Sequence, residues 1–281
     1  MTRHLSGGKL DLKEAVQMKY TVDNDLHIHS RLSLCSHDDN QTPEAILNYA
    51  KKYGIKNLCL TDHFWDTDIE GYTQWYGRQN YEHICESKPL PHADGIRFMF
   101  GCETELDRHL TLAITKEKME LMDFIVIPTT HFHMTSFAVT GEQVATTEAR
   151  VKTWIERFSH VLSLDIPFKK VGIAHLACRL ITPDFNDYVE TLNALPESAM
   201  TELFSKAAEL GVGIELNGGD MDFCPESEEA VLRPFRVAKK CGCKFYLGSD
   251  AHTNKELEKA PALFERAVEK LGLTEDDKFI I

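Results

Sequence analysis

The sequence predicts an α/β fold: a distorted, TIM-like barrel of seven parallel strands alternating with helices, (β/α)7, in a single domain over residues 1–281. Three observations lead there. Seven short apolar runs recur along the chain, helix-forming stretches separate most of them, and each run ends in a residue suited to a metal ion or its surroundings. Continuous runs of about four to eight apolar residues fit strands buried on both faces of a parallel sheet. In a barrel, their polar ends gather on one rim.

In chain order, residues 1–20 form an N-terminal extension that lacks the apolar core of a signal peptide. The first run is DLHIH (Asp25 to His29), where His27 and His29 alternate and so share one face. TPEAILNYAKKYG (Thr42 to Gly54) predicts a helix, with a Thr N-cap, Pro at the first helical position, apolar residues at Ala45, Ile46, Tyr49 and Ala50, and a terminal Gly. LCLTDH (Leu58 to His63) and FMFGCE (Phe98 to Glu103) are the next runs. Between them, residues 66–95 are rich in Tyr, Trp, Gly and His and predict a long rim loop. HLTLAIT (His109 to Thr115) predicts a strand paired back on its predecessor. The last four runs are FIVIPTTH (Phe124 to His131), VGIAH (Val171 to His175), VGIELN (Val212 to Asn217) and FYLGSDAH (Phe245 to His252). Helices are expected over about 141–163, 198–210, 227–240 and 255–271, with a second rim loop over 181–196, which carries two prolines.

Thirty-one basic residues against 44 acidic ones leave a net charge of -13, which opposes a nucleic-acid partner. No apolar stretch reaches the roughly 20 residues that span a bilayer, so no membrane partner is expected and the expected location is the cytoplasm. Cys59, Cys102 and Cys178 lie in or beside apolar runs, where a reduced thiol packs as a small hydrophobe. Cys241 and Cys243 are too close for a zinc knuckle and have no second pair, which makes them structural.

Imidazoles and carboxylates at strand ends are the donors that divalent ions take. The candidate ligands are His27, His29, His37, His63, Glu103, His131, His175, Asp250 and His252. On the residues alone, His133 competes with His131, and Glu105 with Glu103. Asp25 and Asp62 are either acceptors for ligating imidazoles or solvated turn residues, and Asn217 is expected to orient a neighbour. Arg31 and Arg179, just past His29 and His175, are candidate substrate-binding cations for a phosphate. Trp65, Trp75, Tyr72, Tyr76 and Tyr81 surround the first long loop, as its anchor or as a face for a substrate ring.

HxH near the start, a further His, TDH, a strand-end Glu, two isolated strand-end histidines and a final SDAH resemble the polymerase and histidinol phosphatase (PHP) family over about residues 21–255. The resemblance implies a seven-stranded barrel with up to three divalent ions at its carboxyl rim. It implies His27, His29, Glu103 and Asp250 around the first ion. Glu103 would share the second with His131 and His175, and His37, His63 and His252 would hold the third. It favours His131 over His133 and Glu103 over Glu105, because the family's ligand directly follows the strand. His37 departs from the pattern, standing eight positions past His29, a wider gap than the family commonly has.

The implied activity is a histidinol-phosphatase-like hydrolysis of a small phosphomonoester. Two to three zinc, manganese or iron ions are the expected cofactors, since imidazole-rich sites suit them better than magnesium. Two ions about 4 Å apart can share a bridging hydroxide that attacks phosphorus in line, and Asp250, His252 and Glu103 are the catalytic candidates. Two alternatives are a phosphodiesterase or exonuclease acting on nucleotides or nucleic acid, which the charge disfavours, and an amidohydrolase-type metal hydrolase. The latter also opens with HxH, but it usually needs eight strands and leaves His37 and the Asp62-His63 pair idle.

Overall fold

The computed structural model describes residues 18–281, so the expected extension over 1–20 lies outside the described residues apart from its last three. The chain runs through Asn24–Ile28 (β1), Pro43–Tyr53 (α1), Asn57–Leu60 (β2), His63–Phe64 (β3), Tyr81–Ile84 (α2), Arg97–Phe100 (β4) and Cys102–Thr104 (β5). It continues through Lys116–Glu120 (α3), Ile125–Pro128 (β6), Thr147–Ser163 (α4), Val171–Ala174 (β7), Phe185–Ala194 (α5) and Glu197–Leu210 (α6). Gly213–Asn217 (β8), Gly218–Met221 (α7), Glu228–Lys240 (α8), Lys244–Gly248 (β9) and Asn254–Leu271 (α9) complete it.

All strand pairings are parallel, as expected, but the ladders form two sheets rather than one closed ring of seven. Their orders are β1-β2-β4 and β3-β5-β6-β7-β8-β9. Two of the seven apolar runs break in the middle, which raises the strand count to nine. Thr61 and Asp62 interrupt the second run, and the Thr61 hydroxyl oxygen accepts the Ile28 N–H at 3.0 Å. Gly101 interrupts the third. A Cβ there would collide with the Phe124 carbonyl, so only glycine lets the chain step from β4 into β5 so close to the next strand. The sheets meet again where Ile28 bridges Ala251, just past β9, and the Asp250 N–H donates to the His27 carbonyl at 2.7 Å.

Helix boundaries follow local chemistry. Thr42 caps α1 through the Ala45 N–H, Pro43 opens it, and Gly54 ends it at φ +73°. Thr253 and Glu256 form a capping box on α9. The segment expected as a second rim loop is instead largely α5. Its prolines, Pro183 and Pro196, flank the helix rather than interrupt it, and Asp184 caps it through the Asp187 N–H at 2.9 Å. His109 to Thr115 forms no strand, only an isolated bridge between Leu106 and Leu112. The Asp107 carboxylate takes the His109 and Thr111 N–H groups at 2.8 and 2.7 Å, which curls the chain into a turn and satisfies donors a ladder would need. Residues 66–95 hold α2 and two short 3-10 turns, and the segment is pinned by its aromatics: Tyr76 lies 5.7 Å from Trp65 and 5.0 Å from Phe137, ring to ring.

Every cysteine is a free thiol. No helix among the described residues is long and apolar enough to cross a membrane.

Candidate metal centre

The carboxyl ends of the strands bring five imidazoles and two carboxylates together. His27 lies in β1 and His29 follows it, His63 opens β3, Glu103 lies in β5, His131 follows β6, His175 follows β7 and Asp250 follows β9. Glu103 sits at the centre. Its Oε1 lies 3.3 Å from His175 Nε2 and 3.8 Å from His131 Nε2. Its Oε2 lies 3.4 Å from His29 Nε2, 3.7 Å from His27 Nε2 and 2.8 Å from His63 Nδ1. Asp250 faces the same space, with Oδ1 3.1 Å from His29 Nε2 and Oδ2 3.6 Å from His175 Nε2. His175 and Asp250 reach in from left-handed backbone, φ +63° and +53°, a conformation rare for residues with a Cβ and concentrated at functional sites.

Neighbouring groups set the imidazole protons. His27 Nδ1 donates to Glu215 Oε1 at 2.6 Å and His131 Nδ1 to Glu105 Oε2 at 2.7 Å. His29 Nδ1 donates to Ser33 Oγ at 2.9 Å, because that hydroxyl spends its own hydrogen on Asp62 at 2.7 Å. With Nδ1 so committed, Nε2 is the nitrogen each ring directs at the centre, the one an ion would take on displacing any proton there.

The electrostatics favour a cation. Burial alone would raise Glu103 and Asp250, yet the His63 and His27 charges hold Glu103, and those of His27 and His175 hold Asp250, well below the usual carboxylate range. Burial lowers His29, and the neighbouring His252 and His63 lower it further. Burial opposes a charge on His27, but Glu215, Asp250 and Glu103 bring it up to about 10. Glu103 Oε2 is buried with no hydrogen-bond partner, an atom that a divalent ion would satisfy. Three overlapping sets of donors lie within 4.8 Å: His27, Glu103 and His175; His27, His29 and Asp250; His29, His63 and His252. The residues present fit metal ions.

His63, Glu103, His131, His175, Asp250 and His252 line a cavity of about 460 Å³ together with Trp75, Tyr76, Met134 and Leu180; no lysine or arginine lines it. A larger groove of about 860 Å³ runs along the outside of α4 and gathers no comparable donors.

The family profile of the PHP domain matches residues 25–219, more than half of the chain and every candidate ligand except Asp250 and His252. The chain belongs to the PHP domain family. It is a PHP-family metal-dependent hydrolase. Among solved structures it is similar to histidinol phosphate phosphatase from Lactococcus lactis, complexed with zinc, L-histidinol and phosphate. The two are 17% identical with a TM-score of 0.53, covering 92% of this chain and 99% of that one. A candidate histidinol phosphatase from Listeria monocytogenes is 12% identical with a TM-score of 0.62, covering 86% and 99%. At these identities the likeness speaks for the fold. No match was found among curated proteins.

Against this PHP frame, several expected residues lie elsewhere. His37 is exposed and joins no donor set; two turns, Ser33 N–H to the Ser30 carbonyl and Ser36 N–H to the Ser33 carbonyl, bring Cys35 to the cavity wall instead. Burial raises the Cys35 thiol, but hydrogen bonds with His252 and His63 win and bring it to about 7. His133 is exposed beside His131, and Glu105 supports His131 from behind. Asp25 accepts from the Tyr49 hydroxyl and the Ser249 N–H rather than from an imidazole, and Asp62 reaches His29 only through Ser33. Neither arginine lines the cavity. Arg31 is exposed at a separate pocket beside Pro43 and Glu86, and Arg179 donates to the Pro183 carbonyl while lying over Phe185 and Tyr188. Both follow their histidines in sequence, but the chain turns outward at each.

Glu215 was not anticipated. Its only sequence signal is one acid inside an apolar strand, yet it orients His27, accepts the His175 N–H at 3.1 Å and receives Asn217 Nδ2 at 3.2 Å. Glu215→Gln keeps the shape and removes the charge. We expect a loss of about 10- to 100-fold in zinc affinity, read by chelator competition; unaltered affinity would remove Glu215 from the centre's support.

Asp220 is a further buried acid near this PHP centre. Burial, then Glu215 and Asp250 against the relief from His175, raises it to about 7, and its Oδ1 has no partner. A raised carboxyl stabilises fully below its unfolded value and loses that contribution as pH climbs toward 7. Asp220→Asn, a mimic of the neutral acid, is expected to be more stable than the parent above pH 7, by on the order of a few kcal/mol, with the gap closing toward pH 4. Urea melts of chelator-treated protein at both pH values measure this, and a gap independent of pH would show that Asp220 does not titrate in this range.

Proposed function

We propose that this PHP protein is a phosphatase for a small phosphomonoester, histidinol-phosphatase-like, using two to three zinc, manganese or iron ions. The carrying observation is one buried carboxylate, Glu103, surrounded by five imidazoles at the floor of a cavity wide enough for a small molecule. On this reading the two sheets act as one distorted seven-stranded barrel. His27, His29, Glu103 and Asp250 hold the first ion, Glu103 shares the second with His131 and His175, and His63 and His252 belong to the third. Bound divalent ions supply Lewis acidity, which activates water and offsets phosphate charge. That role is needed here, because the cavity lining carries no lysine or arginine to meet a phosphate.

The chain's own groups do the rest. Glu215, Glu105 and the Ser33-Asp62 pair hold His27, His131 and His29 with Nε2 turned to the centre. Asp250 is 23% exposed against 2% for Glu103, so of the two carboxylates it is the one more open to a bound ester. His252 Nδ1 donates to the Asp250 carbonyl at 2.8 Å, so the neutral ring offers Nε2 as an acceptor. Trp75, Tyr76, Met134 and Leu180 exclude water around the leaving group. The L-histidinol and phosphate bound to the Lactococcus protein make histidinol phosphate the first ester to test.

Phosphate release from a panel of phosphomonoesters, measured with manganese, zinc and iron supplied in turn, decides the matter. Turnover of at least one ester, abolished by chelator, is the expected result. Cleavage of an oligonucleotide or an amide with no monoester turnover would overturn it.

A further inference from the structure

We propose that the metal cavity selects phosphomonoesters whose leaving alcohol carries an uncharged, flat apolar ring, and that Trp75 and Leu180 are the residues that choose it. The inference rests on the phosphatase reading above and narrows its substrate class. Outside the metal donors, the cavity is lined by Cys35, Trp75, Tyr76, His133, Met134 and Leu180, none of which carries a carboxylate, an ammonium or a guanidinium. The two carboxylates in the lining, Glu103 and Asp250, face the imidazoles of the centre. A charged group on the leaving alcohol has no free counter-ion there, and burying it unpaired costs far more than burying an apolar ring. An ester with a neutral ring is thereby expected to outrank histidinol phosphate, which carries an ammonium.

Trp75 is the aromatic left to face the substrate. Of the five around the first long loop, Trp65 is buried and donates its indole N–H to the Ile69 carbonyl at 2.9 Å, and buried Tyr76 donates its hydroxyl to Glu105 Oε2 at 3.0 Å. Tyr81 carries the Lys118 ammonium over its ring at 4.5 Å, and Tyr72 is exposed and lines no part of the cavity. Trp75 is half-buried and lines the cavity beside a metal donor, its ring 5.3 Å from that of His63 at 66°. Leu180 enters from another part of the rim: Trp75 follows β3 and Leu180 follows β7, with β5 and β6 between them in the sheet. It sits in the 3-10 turn Arg179–Ile181, where successive side chains point about 120° apart. Arg179 lies outward over Phe185 and Tyr188, Ile181 is buried in the main core, and Leu180 lines the cavity. Leu180 is half-buried and joins no hydrophobic cluster among the described residues, so its apolar surface is left for the occupant of the cavity.

Zinc-loaded full-length protein, titrated calorimetrically with two non-hydrolysable phosphonates, tests this. Benzylphosphonate is expected to bind at least about 10-fold more tightly than 2-aminoethylphosphonate, whose ammonium has no partner. Trp75→Ala and Leu180→Ala are each expected to cut that preference several-fold, whereas Trp75→Phe, which keeps a ring, is expected to retain most of it. Leu180→Asp supplies the missing acid and is expected to reverse the preference, a gain that a folding defect cannot produce. Equal binding of the two phosphonates, or a preference unchanged in both alanine variants and in Leu180→Asp, overturns the proposal. Hydrolysis of benzyl phosphate and phosphoethanolamine with equal kcat/KM overturns the ring subsite alone. The binding preference without hydrolysis of any ester removes the phosphatase reading alone, and a zinc-loaded protein that binds neither phosphonate removes both.

Discussion

Glu103→Ala protein is expected to purify with almost no bound metal and to lose phosphomonoester turnover by more than about 1,000-fold, beyond the cost of deleting a single transition-state donor. The reason lies in its position. Glu103 faces His27, His29, His63, His131 and His175 at 2.8 to 3.8 Å and is 2% exposed, so a single anion serves all five rings. Removing it takes away the central anion that would offset an ion's charge among the five imidazoles and leaves Asp250, which faces His27, His29 and His175, as the remaining carboxylate in that space. Glu103→Gln separates shape from charge: it preserves volume and one acceptor, and should still lose most of the metal. Full metal content in either variant, by elemental analysis, would remove Glu103 from the centre.

Arg157→Ala is expected to destabilise the protein by about 3 to 5 kcal/mol, the range for breaking a buried ion pair by removing one side. Arg157 is 2% exposed on α4. Its Nε donates to the Thr129 carbonyl at 2.8 Å, Nη1 to those of Asp107 and Ala138 at 3.1 and 2.7 Å, and Nη2 to that of Leu106 at 2.7 Å. Nη2 also lies 3.6 Å from Glu105 Oε1, and Glu105 in turn fixes His131. One guanidinium therefore ties the segments after β5 and β6 and neutralises the acid behind a metal ligand. Burial lowers its pKa, but Glu105 and Asp107 oppose that, and the group stays charged. Arg157→Lys should recover only a minor part, because an ammonium has three donors on one atom and cannot span four carbonyls. Urea unfolding midpoints measure both variants. A loss under about 1 kcal/mol, the size of one ordinary hydrogen bond, would contradict this account.

Legibility in the sequence varied with the range of the interaction. α1 and α9 were readable because their caps are local: Thr42 with Pro43 and Gly54, and Thr253 with Glu256. The parallel strands were readable because burial on both faces leaves an uninterrupted apolar run. α5 was misread, since two prolines near a segment do not reveal whether they interrupt it or bound it. His109 to Thr115 was misread because the Asp107 carboxylate, not strand pairing, takes its N–H groups. The inward turn of Cys35, the outward turn of Arg31 and Arg179, and the support from Glu215 depend on hydrogen bonds between residues far apart in the chain. Glu215 meets His27 across 188 positions.

The sequence by itself determined which donors are available and that they stand at strand ends, because hydrophobic periodicity places each polar terminus relative to its own strand. Only the tertiary structure decided which donors share a centre, which carboxylate lies in the middle and which loop residue faces inward. Those outcomes depend on distances of 3 to 4 Å between separate strands and on the paths of the connecting loops, and no local pattern of residues encodes them.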